Sequence, residues 1–131
     1  PLRRTGAPAS VAEHTGVEPG EFLELVRARE QAALAALADA TGNASLCALS
    51  RAGTPHPAAK FHEGAASALA DVRRALTRAP ETGPAEAVAA ARNTWEERNA
   101  GLATRQRDWA AYYAGGVEAL GLLDEAIPAV G

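Results

Sequence analysis

Trp109-Ala110-Ala111-Tyr112-Tyr113-Ala114-Gly115-Gly116-Val117-Glu118-Ala119-Leu120-Gly121-Leu122-Leu123-Asp124-Glu125-Ala126-Ile127 is the stretch that decides the fold. Trp109, Tyr112, Tyr113, Gly116, Leu120, Leu123 and Ile127 recur at spacings of three and four, the period of one face of a helix. Pro128 and Gly131 end the run. Gly115-Gly116 is its oddest feature, because each Gly costs about 1 kcal/mol against Ala inside a helix. Something must compensate: close approach of a neighbouring helix, which we favour, or a hinge that bends when a ligand binds.

Working back toward the start, Asn99-Ala100-Gly101 interrupts the pattern. Either one long helix spans 84–126 or a turn at 99–103 separates two, and the poor helix propensity of Asn and Gly favours the turn. The Thr104 hydroxyl is then available to cap the last helix. A third helix opens at Pro84, capped by Thr82 or Gly83, and carries Val88, Ala91, Trp95 and, at its end, Leu102. Residues 79–84 form a plain connector. A second helix spans about 57–79, with Phe61, Ala65, Leu69, Val72 and Leu76 on one side. Gly53-Thr54-Pro55-His56-Pro57 breaks the chain before it, and Asn43 caps a short helical piece through Leu49. The first helix, about 19–40, starts at Pro19, where a missing N–H is no loss. Glu21 and Glu24 lie in its first turn, where the helix dipole favours them. Phe22, Leu23, Val26, Ala33, Leu34 and Leu37 form its apolar stripe. Residues 1–18 read as an irregular lead-in, with a short helical turn at Ser10–His14, and residues 19–131 as the bundle.

Composition agrees. The 131 residues include 34 Ala, 12 Gly, 8 Pro and only 5% aromatics, so few residues favour a sheet. The expected architecture is an all-α, antiparallel up-down four-helix bundle. An even number of antiparallel helices returns the chain to the end where it entered. That geometry suits insertion between two membrane spans, and it suits ordinary bundles equally. A chain without Met, opening at Pro1, is expected to be a segment cut from a longer protein.

Several function classes fall away. A net charge of −3 provides no general cationic field for phosphate backbones, so nucleic acid is not an expected partner. One cysteine, Cys47, builds neither an intramolecular disulfide nor a thiolate metal site, and reads as a small buried apolar side chain. His14, His56 and His62 lack the i, i+3 or i, i+4 spacing that places ligands on one helix face, so no metal is expected. Ser10, Ser45, Ser50 and Ser67 lie in no nucleophile-elbow context. Neither a catalytic set nor a cofactor is expected.

Twelve of the thirteen cations are Arg. They cluster as Arg27 with Arg29, Arg73 and Arg74 with Arg78, and Arg105 with Arg107. The planar guanidinium suits oxyanions, and Arg29 sits at the edge of the first apolar stripe, three residues from Val26 and four from Ala33. The competing reading pairs most of these arginines with surface carboxylates. The residues selected for a small anion are Arg29 and Arg73, with Tyr112 as a wall. The Ala-rich faces bury little area per residue, and a homodimer would bury more.

Leu25-Val26-Arg27-Ala28-Arg29-Glu30-Gln31, Ala68-Leu69-Ala70-Asp71-Val72-Arg73, and Trp109-Ala110-Ala111-Tyr112-Tyr113 with Val117, Leu120 and Leu123 follow one another in a familiar order. Over residues 19–127 the chain resembles the extracellular helical sensor domain of actinobacterial histidine kinases of the conservon type, similar to nitrate/nitrite-sensing domains. The resemblance implies a non-catalytic domain outside the cell membrane, two flanking spans and dimer-dependent signalling to a cytoplasmic kinase. It also implies a small-ligand or protein signal that shifts the first and last helices. The alternative is a structural or protein-interaction bundle with no small ligand. A third class, a helical enzyme, lacks its carboxylate–histidine constellation.

Overall fold

A computed structural model describes residues 18–42, 56–101 and 107–128. The element order is α1 (Pro19–Thr41), α2 (Pro57–Arg78), α3 (Pro84–Ala100) and α4 (Arg107–Glu125). The described residues are helical with short turns and contain no strand. The described residues form an all-α, up-down bundle of four helices. The expected lead-in through Val17, the helical piece at 43–49 with Cys47, Leu102 and the Thr104 cap lie outside the described residues.

The helix boundaries follow from local chemistry. α1, α2 and α3 each begin with Pro at the start of the first turn, and none has a side-chain cap at its N-terminus. Pro removes one of the donors that a cap would otherwise have to satisfy. The α3 cap residue is therefore Gly83 acting through its backbone, and Thr82 makes no cap hydrogen bond. α1 ends at Gly42, whose φ of 61° returns its N–H to the Ala38 and Asp39 carbonyls. Only Gly adopts that backbone cheaply. α3 runs through Asn99 and Ala100, which the sequence reading places in the turn, and α4 is a separate helix from Arg107, so two helices stand in place of the single long one.

α2 is the hub, packing against α1, α3 and α4. Ala66, Ala68, Leu69, Ala70, Val72 and Leu76 are buried around most of its circumference. Lys60 lies over the Trp109 ring near the start of both helices, while Leu69 and Leu122 share a groove further along, so α2 and α4 run the same way. Trp95 packs on Tyr112 while Arg92 pairs with Asp124, so α3 runs against α4. In a square bundle α2 and α4 would be diagonal. Here they touch directly, and α1 and α3 occupy the outer corners of a rhombus. Glu30 pairs with Arg73 while Ala33 shares the groove with Phe61 and Ala65, so α1 runs against α2 and residues 18 and 128 lie at the same end of the bundle.

The core is built from Phe22, Val26, Leu69, Val72, Val88, Trp95, Leu120 and Leu123. Each large apolar side chain removed from water contributes about 1.5–3 kcal/mol. Of the expected stripe residues, Leu34 at 40% exposed and Trp109 at 44% exposed lie furthest from it, and Leu37, Phe61 and Ala65 also stay outside the cluster. Eight residues beyond Val26, Leu34 has rotated about 80° around the helix, away from α2. Trp109 lies in the first turn of α4, at the margin of the bundle, with the Lys60 ammonium 4.7 Å above its ring.

Candidate functional site

The glycines of α4 explain why α2 and α4 meet. A Cβ on Gly115 would collide with the Phe61 backbone carbonyl, and one on Gly64 with the carbonyl of Tyr112. A Cβ on Gly116 would run into the Trp95 ring. Gly115-Gly116 therefore marks close packing on two sides, of α2 against the first Gly and of the α3 indole against the second. Trp95 Nε1 donates to Asp71 Oδ2 at 2.9 Å, tying α3 to α2. Its ring lies 5.3 Å from Tyr112 and 5.6 Å from Tyr113. Arg92 reaches Asp124 at 3.1 Å and ties α3 to α4.

α1 is held differently. Its principal neighbour is α2. Besides its apolar stripe, it is fastened by a two-pronged ion pair: Arg73 donates through Nε to Glu30 Oε1 at 2.7 Å and through Nη2 to Oε2 at 3.1 Å. These hydrogen bonds raise the Arg73 pKa above its already high ordinary value, so Arg73 is charged at every accessible pH.

Between α1 and α4, over α2, a groove of about 520 Å³ opens. Ala32 and Ala33 form one wall, Ala119 and Leu122 the other, and Phe61, Ala65 and Leu69 the floor. Leu122 is 51% exposed along it. Arg29 enters from α1, and its Nη1 is buried without a hydrogen-bond partner. Leaving a buried donor unmade costs about 1–3 kcal/mol, more for a charged group. Glu118 and Glu125 stand on the opposite wall.

The three residues selected from the sequence do not converge. Arg29 lines the groove. Arg73 is committed to Glu30, which an Arg spaced for an i, i+4 helix face could not reveal, because its partner is 43 residues away. Tyr112 stacks among Trp95, Trp109 and Tyr113, and its carbonyl is pressed by Gly64. Sequence reasoning missed the Ala32, Ala33, Ala119 and Leu122 walls. A smaller cleft between α2 and α3, about 470 Å³, carries Arg74, Arg78 and Arg98, all exposed, beside Asp71 and Glu86. Arg74 pairs with Asp71 there at 3.3 Å. Its exposed, mixed charges give an anion less than the groove does.

Among the described residues no group of three or more His, Cys, Asp or Glu is placed to hold a metal. No described helix is long and apolar enough to cross a membrane. Compared with known proteins, the chain matches no family model, no curated protein and no solved structure.

Proposed function

We propose that this bundle is a non-catalytic input domain whose sensing site is the groove between α1 and α4. The observation that carries the proposal is the unequal packing. α2 and α4 meet at backbone level with the α3 indole buried beside them, whereas α1 packs almost wholly on α2 and leaves an open apolar groove against α4. A ligand that touches both walls favours one α1 position over another, and a population shift requires that difference in affinity. With residues 18 and 128 at one end, displacement of α1 against α4 is delivered at that end of the bundle.

In this reading the parent is a membrane-bound sensor histidine kinase of the conservon type, with the bundle outside the cell and working as a homodimer. The order of motifs in α1, α2 and α4 supports that assignment, and the half-exposed Leu34 supports further burial against a second copy. The half-exposed Leu34, Trp109 and Leu122 also favour a second reading, a bundle that docks another protein and takes no small ligand.

The test is made in the parent protein, embedded in membranes. Ala119→Trp fills the groove, and Ala89→Trp, exposed on α3, serves as the control. Ala119→Trp is expected to lock kinase autophosphorylation high or low, with Ala89→Trp matching wild type. Equal output from both variants, or flanking sequence with no apolar span, would end the sensor reading.

A further inference from the structure

We draw no further inference here: the strongest candidate, the apolar groove between α1 and α4 edged by Glu118 and Glu125, carries nothing beyond the reading above because nothing in the structure shows what covers it.

Discussion

α4 presents one face to α2 and another toward α1, and the two faces have opposite fates although small residues line both. On the α2 side, Gly64 and Gly115 each lie against a backbone carbonyl of the other helix, so the main chains touch. On the α1 side the walls are Ala32, Ala33 and Ala119, and a groove remains. Between Gly20 and Gly42, α1 has no Gly. A Cβ on each side is enough to hold two helices apart, and Ala is too short to fill the gap it creates. Richness in alanine is therefore not the same as close packing. Glycine placed opposite a carbonyl makes a seam, and alanine opposite alanine makes a slot.

The largest expected effect tests the seam. Gly115→Ala inserts a methyl against the Phe61 backbone, which cannot rotate away as a side chain would. Overpacking of that kind should cost about 3 kcal/mol, read as a lower urea midpoint with an unchanged slope. Gly121 on the same helix has nothing within 4 Å of its missing Cβ. Gly121→Ala should instead gain up to about 1 kcal/mol from helix propensity. Equal midpoints for the two variants would mean that the seam is looser than drawn.

The sequence carried the fold further than the site. Pro19, Pro57 and Pro84 punctuate the chain so plainly that three helix starts are legible without coordinates, and Gly101 settles the fourth boundary. The Gly115-Gly116 pair announced a close contact, though not its partners, because Phe61 and Trp95 are reached only through tertiary packing. The site was less legible. Arg29 stood out by its position beside Val26 and Ala33. Arg73 looked equivalent, and its role was fixed by Glu30 across the α1–α2 seam. Tyr112 is drawn into the aromatic cluster with Trp95, Trp109 and Tyr113. The groove itself is a property of what two helices fail to fill, and no single residue type signals it.

A smaller effect probes how firmly α1 is attached. Glu30→Gln keeps the side-chain shape and removes the charge that Arg73 grips with both prongs. A pair of this kind, half-buried and bidentate, should be worth about 1 kcal/mol. The Arg73 pKa is raised in the folded state, so its share of that stability is complete below the unfolded value and is lost only as pH climbs past the folded one. Both lie above the working range, so the Arg73 contribution is flat with pH between 5 and 9 (roughly the range where a pH titration of stability is practical). Urea unfolding of Glu30→Gln against wild type checks the size. A difference well above 1 kcal/mol would make the ion pair, rather than the apolar stripe, the main fastening of α1.

The smallest expected change carries the opposite sign from the seam and so tests the slot directly. Ala33 lines the groove from α1, half-buried, and a longer side chain there extends into open space. Ala33→Leu adds apolar surface that the floor at Leu69 and the far wall at Leu122 can cover. At the usual area coefficient it should stabilise by a few tenths of a kcal/mol, and at most about 1. A methyl added at Gly115 and three carbons added at Ala33 would then act in opposite directions within one bundle. If Ala33→Leu costs more than about 1 kcal/mol instead, α1 and α4 are already in contact at that level. The slot would then be a second seam, and α1 would have no room to move.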